Sequence, residues 1–109
     1  MPSDKSFAAY IADQASDAGV ITTRSMMGEF MVYCDGVYTA IIADNRVYVK
    51  ATEAGRAFIG TPVEGQPYPG AKPCFDIGTR FEDSRWFSHL IRISRQELES
   101  KPTGKSRKK

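Results

Sequence analysis

A chain of 109 residues has room for one core, since proteins divide into separate cores only well beyond about 200 residues. With 41% hydrophobic residues and only 2 cysteines, it can fold without disulfides or a structural metal, which excludes the stapled miniproteins. The net charge of +2 does not make a nucleic-acid binder: Lys101, Lys105, Arg107, Lys108 and Lys109 sit at the C-terminal end, leaving 10 basic against 13 acidic residues in positions 1 to 100. Residues 1–100 are therefore expected to fold as one slightly acidic domain. Residues 101–109 are expected to be a disordered basic tail, whose few phosphate contacts give at most weak, salt-sensitive nucleic-acid binding.

At the N-terminus, Asp4, Lys5 and Asp13 interrupt any apolar run, so no signal peptide is expected. No segment approaches the ~20 apolar residues of a membrane span. The expectation is a cytoplasmic protein with reduced thiols at Cys34 and Cys74 and no membrane partner.

Residues 4–18 read as a helix. Phe7, Tyr10, Ile11, Ala15 and Ala18 recur at helical spacing, Ser3 or Asp4 can cap it, and Gly19 stops it. From Arg24 to Lys50 the pattern changes to three strands joined by Asp35-Gly36 and Asp44-Asn45, dipeptides suited to two-residue hairpin turns whose central positions need φ > 0. Gly28, inside the first of these strands, would allow a bulge or a close backbone approach. Two-residue turns set a register: Cys34 opposite Val37, Tyr33 opposite Tyr38, Met31 opposite Ala40, then Ala43 opposite Arg46, Ile42 opposite Val47 and Ala40 opposite Val49. Opposed residues share a face. One face then carries Met31, Tyr33, Tyr38, Ala40, Ile42, Val47 and Val49, with no charge, and is expected to pack on helices. The other carries Phe30, Val32, Cys34, Val37, Thr39, Ile41 and Tyr48, with Arg46 and Lys50 at its edge. It is too apolar for open water, so either loops or chain ends shield it, or it meets a partner or a second copy.

Beyond Lys50, Thr52 can cap a short helix from Glu53 to Phe58, in which Gly55 costs about 1 kcal/mol relative to Ala. The Pro- and Gly-rich stretch from Ile59 to Lys72 reads as loop, with a brief edge strand near Gln66 to Tyr68 and a turn at Pro69-Gly70. Pro73 to Ile77 reads as a strand. Asp83 or Ser84 caps a last helix with the stripe Trp86, Phe87, Leu90, Ile91 and Leu98. Ser94 and Glu97 form a capping-box pattern at which this helix is expected to break. The order helix, three strands, helix, one or two strands, helix gives an α+β, two-layer fold with an antiparallel sheet.

Catalytic patterns are missing: there is no Gly-rich phosphate loop, no GxSxG and no CxxC. His89 is the only histidine, which excludes a two-histidine metal site within one chain, and it sits on the last helix as an ordinary helix residue. The adjacent Glu82 and Asp83 suit a helix start. The sequence thus predicts no catalytic residue, no cofactor and no metal. Three readings remain. One is a non-enzymatic module that meets a protein partner or itself through Phe30, Val32, Val37, Ile41, Arg46 and Tyr48. Another is a small-ligand- or peptide-binding domain using a groove between the sheet and the Ile59 to Lys72 loop. The last is a thiol-dependent enzyme resting on Cys34 and Cys74.

The runs Arg24-Ser25-Met26-Met27-Gly28, Tyr33-Cys34-Asp35-Gly36-Val37-Tyr38 and Ile42-Ala43-Asp44-Asn45-Arg46-Val47-Tyr48-Val49-Lys50 resemble the N-terminal domain of the TfoX/Sxy family, associated with regulation of natural competence. Tyr68, Gly70, Lys72-Pro73 and Glu82-Asp83 continue the resemblance, which spans residues 4 to 99. Departures are Met27 where the family commonly has Phe, Glu29 where a small residue is usual, and Cys74-Phe75-Asp76 in place of a more aromatic strand. The resemblance implies a two-layer fold similar to secretion-chaperone-like domains, no known catalysis, and a link to competence or transcription. Longer relatives carry a second domain, which this chain is expected to lack.

Overall fold

The computed structural model describes residues 4–100, so the expected basic tail lies outside the described residues. Helix α1, Lys5–Gln14, is capped by Asp4, whose carboxylate accepts from the Ser6 N–H, and a 3-10 turn, Ser16–Ala18, completes the predicted helical segment. Four strands follow: β1, Ile21–Met26; β2, Glu29–Cys34; β3, Val37–Ala43; and β4, Arg46–Lys50. Then come α2, Glu53–Ile59, β5, Val63–Gly65, β6, Cys74–Asp76, and α3, Ser84–Ser100. The six strands form one antiparallel sheet in the order β1-β2-β3-β4-β6-β5.

The α+β class and two-layer architecture agree with the sequence reading, and both expected turns are present. Asp35 and Gly36 have φ of 50° and 83°, and Asp44 and Asn45 have 54° and 55°. A third turn of the same kind divides the expected first strand in two: Met27 and Gly28 have φ of 53° and 85°, and Met26 pairs with Glu29 across them. The brief edge strand lies at Val63–Gly65, a little earlier than expected. The Pro69-Gly70 turn closes with the Ala71 N–H donating to Tyr68 O at 3.1 Å. Helix α3 runs unbroken through Ser94, because Glu97 is engaged elsewhere: its carboxylate oxygens accept from the backbone N–H groups of Glu53 and Ala54 at 3.0 and 2.9 Å, capping α2.

One register step differs, and it reverses a face. Cys34 opposes Val37 and Tyr33 opposes Tyr38 as expected, but the next pair is Val32 with Ala40, followed by Met31 with Ile41 and Phe30 with Ile42. Thr39 is the extra residue of a β-bulge. Its hydroxyl donates to Val32 O at 3.2 Å, and the side chain is fully buried. Beyond the bulge, β2 is offset by one residue from the expected pairing. Phe30, Val32 and Cys34 therefore join Ala40, Ile42, Val47 and Val49 on the side facing the helices, while Met31 and Tyr33 turn away from it. The β3–β4 pairs are as predicted. Ile11, Phe87, Leu90 and Ile91 from the helices, and Phe75 from β6, complete a single core.

Two polar links fix the helical layer. The Gln14 side-chain amide donates to Phe81 O and Glu82 O, and the hydroxyls of Ser84 and Ser88 donate to Gln14 O at 2.9 and 3.0 Å, tying the end of α1 to the start of α3. On the far side, the Arg95 guanidinium sits 3.4 Å from the Asp35 carboxylate, which also accepts from the Val20 N–H at 2.9 Å. The β2–β3 turn is thereby held to both α3 and the entry to β1.

Candidate interaction surface

The bulge redistributes the residues expected to meet a partner. Phe30 and Val32 belong to the core, so their assignment to the outer face is corrected. Val37, opposite Cys34, follows it to the helix side at the end of the hairpin, where it is half-buried. Ile41, Tyr48 and Arg46 stay on the outer face. Of these, Ile41 is only 1% exposed, Tyr48 is half-buried, and Arg46 is exposed but pairs with Asp76 at 3.2 Å.

Met31, Tyr33 and Tyr38 occupy the outer face in place of the displaced residues. The rings of Tyr33 and Tyr38 lie 5.6 Å apart at 35°, the Tyr33 hydroxyl is 3.9 Å from Met31 Sδ, and Lys50 Nζ sits 4.7 Å from the centre of the Tyr38 ring. Burial, with Tyr68 and Cys74 beside it, pushes the Tyr38 phenol up to about 12.

The loop joining β5 and β6 covers this face. Gln66 clamps it by donating from its amide to Ala71 O at 2.7 Å, and Ala71 and Cys74 are buried outside the helix-facing core. Tyr68, though it belongs to this loop at one end of the sheet, lines a depression of about 380 Å³ with Met26, Met27 and Glu29 from the β1–β2 turn. Sequence reasoning missed that depression. Met27 is 97% exposed at the tip of its turn, Met26 is 42% and Tyr68 43%. The available signal was Met27-Gly28, an X-Gly pair between alternating runs, obscured because Met is not among the residues that favour φ > 0.

A second depression, of about 300 Å³, lies beside the start of the Ile59 to Lys72 loop, between Ile59, Val63, Ile77, Arg46, Asp76 and Arg80. Its charged groups are engaged with their neighbours: Arg46 with Asp76, and Arg80 against the Trp86 ring at 4.0 Å.

The thiols are unsuited to nucleophilic work. Cys34 is fully buried and its thiol is pushed up, first by burial and then by Asp35, against a downward pull from Arg95. Burial also raises Cys74, with Lys50 pulling the other way. An activated cysteine needs the opposite shift. His89 is exposed and packs on the Phe58 ring at 4.6 Å. At about pH 8.5 iodoacetamide is expected to modify both thiols at least ~tenfold more slowly in the folded protein than in the guanidinium-unfolded chain, as read by mass spectrometry. Rapid labelling of either thiol in the folded state would contradict this. Among the described residues, no group of three or more His, Cys, Asp or Glu side chains converges to hold a metal, and no helix is long and apolar enough to cross a membrane.

Fold and surface together define the class: a small α+β domain built on one antiparallel sheet, with helices on one face and an aromatic face under a loop on the other. The chain belongs to the TfoX N-terminal domain family, which it matches over residues 13–98. It is also 36% identical over 108 residues to a protein of Spirochaeta aurantia described as an uncharacterized 12.7 kDa protein in the trpE 5′ region; the match covers 99% of this chain and 91% of that one. The family suggested by the Arg24–Gly28, Tyr33–Tyr38 and Ile42–Lys50 runs is thus the family of the chain.

Proposed function

We propose that this protein is a non-enzymatic, cytoplasmic interaction module that engages a protein partner through the rim of the outer sheet face, centred on Met27 and Tyr68, with Tyr48 and Arg46 further along the same face. The resemblance to competence regulators supports a role linked to competence or transcription, exercised through that partner. The observation that carries the reading is Met27 itself. It holds a left-handed backbone conformation, φ 53°, that costs a non-glycine residue roughly 1–2 kcal/mol, and its side chain is 97% exposed, so folding gains nothing from it. An unbranched thioether at a hairpin tip beside an exposed tyrosine suits adaptable apolar docking.

Replacing Met27 by Asn tests this, because folding and binding should respond in opposite directions. Asn-Gly suits the turn better than Met-Gly, so Met27→Asn is expected to stabilise the domain by about 0.5–1 kcal/mol in denaturant unfolding. The same variant, and Tyr68→Asp, should lose the partner retained by the wild-type chain in affinity capture from its native cells. If Met27→Asn retains the same partner as well as the wild type does, the surface is misassigned.

A further inference from the structure

The two edges of the sheet are built differently. Strand β5 has three residues, follows Pro62, and carries Glu64 paired with Arg56 at 2.7 Å, so that edge is short and charged. Strand β1 is guarded only by a single charge. Its six residues, Ile-Thr-Thr-Arg-Ser-Met, pair with β2 in one unbroken register, contain no proline, and carry one charge, Arg24. All but Ile21 are exposed, on both faces of the sheet. A long, lightly guarded edge is a template for another strand.

The backbone shows which groups are available. Val20 O accepts from the Asp35 N–H at 2.8 Å, so the even-numbered residues direct their N–H and C=O toward β2. The alternation of an antiparallel ladder then directs the N–H and C=O of Ile21, Thr23 and Ser25 outward. We infer that β1 pairs with β1 of a second copy, antiparallel about a two-fold axis through Thr23, making one continuous sheet through both copies.

The strand's own side chains select this occupant and register. A two-fold axis perpendicular to the sheet keeps each face on its own side, so odd residues must oppose odd residues and even oppose even. With Thr23 opposite Thr23 of the second copy, Ile21 opposes Ser25 and Thr22 opposes Arg24. Val20 opposes Met26, and this pair occurs twice. Val20 and Met26 are 68% and 42% exposed, and between them only Ile21, which packs against the core, is apolar. Pairing about Arg24 sets two like charges face to face, and pairing about Thr22 leaves Met26 overhanging. Only the Thr23 register joins the outward hydrogen-bonding groups, separates the arginines and covers the apolar ends. Met26 also borders the depression, but Met27 and Tyr68, on which the proposed partner surface is centred, lie beyond the paired segment.

The test uses the full chain. Sedimentation velocity up to about millimolar concentration should show a monomer–dimer equilibrium in the wild type. Thr23→Pro removes an outward N–H that β2 does not use, so the fold should survive while dimer affinity falls by about tenfold or more. Two cysteine variants give an independent reading under mild oxidant. Thr23→Cys places its two copies directly opposed at about 5.5 Å between Cα atoms and should form a disulfide dimer. Thr22→Cys, whose two copies lie diagonally at more than ~7 Å, should stay monomeric. A wild type that remains monomeric throughout, a dimer undiminished by Thr23→Pro, or equal cross-linking at positions 22 and 23 would each overturn the pairing. If Thr23→Pro fails to fold, the cysteine pair decides.

Discussion

Deleting Thr39 is expected to leave the domain folded with the same face inside, at a cost of about 1–3 kcal/mol, although it shortens a buried strand by one residue. The reason lies in the pairing. Without the extra residue, Ala40 takes the place opposite Val32 that an uninterrupted ladder from the Asp35-Gly36 turn gives it, Met31 still meets Ile41, and the core-facing set of β2 is unchanged. It is with Thr39 present that an unbulged ladder would set Met31 opposite Ala40 and turn Phe30, Val32 and Cys34, 9%, 0% and 0% exposed, outward. Burial of each such side chain is worth roughly 1.5–3 kcal/mol, so the three together approach the ~5–15 kcal/mol that holds a domain of this size together. The deletion variant should melt cooperatively by circular dichroism and keep Cys34 as slow to label with iodoacetamide as in the wild type. Thr39→Val, which keeps the residue count and loses only the hydroxyl bond to Val32 O, should fold with a cost of about 1–2 kcal/mol. A deletion variant without a sigmoidal melt, or with Cys34 labelled rapidly, would show that the ladder does not close across the missing residue.

The same residue explains where the sequence was legible and where it was not. Turn chemistry was readable because Asp35-Gly36 and Asp44-Asn45 have few other uses, and the β3–β4 register followed from the second of them without error. The bulge left no trace because β3, Val-Tyr-Thr-Ala-Ile-Ile-Ala, is apolar on both faces: the outer one lies under the β5–β6 loop, so alternation carries no phase information across Thr39. A strand with one wet face would have exposed the slip. Likewise, Ser94 and Glu97 had the spacing of a local cap, but Glu97 satisfies a different helix, 44 residues away from Glu53 in sequence, and no local pattern reports that. On the outer face of the sheet, Ile41, Tyr48 and Arg46 stand where the β3–β4 register places them. Met27 and Tyr68 were not found, because the depression they line exists only once the loop has doubled back over the sheet.

Gly55→Ala, which helix propensity alone would make stabilising by about 1 kcal/mol, is expected instead to destabilise the domain by about 2 kcal/mol. A Cβ built at Gly55 lies 2.7 Å from Thr52 Oγ1 and 3.4 Å from both Leu90 Cδ1 and Phe75 Cε2, so α2 rests on the core through a backbone with no side chain between. Thr52 cannot swing aside without cost. It is 5% exposed, and its hydroxyl accepts from the Gly55 N–H at 2.9 Å as the cap of α2. The added methyl thus displaces a buried cap and overfills a packed layer, two costs that together exceed the propensity gain. Because one atom mediates most of the clash, the effect should depend on Thr52. In a Thr52→Ala background, already weakened by about 1–2 kcal/mol, Gly55→Ala should be neutral or stabilising, a coupling of about 2 kcal/mol in a double-mutant cycle read by urea unfolding. Additive effects of the two substitutions would mean that the contact with Leu90 and Phe75, rather than the cap, limits how closely α2 can approach the sheet.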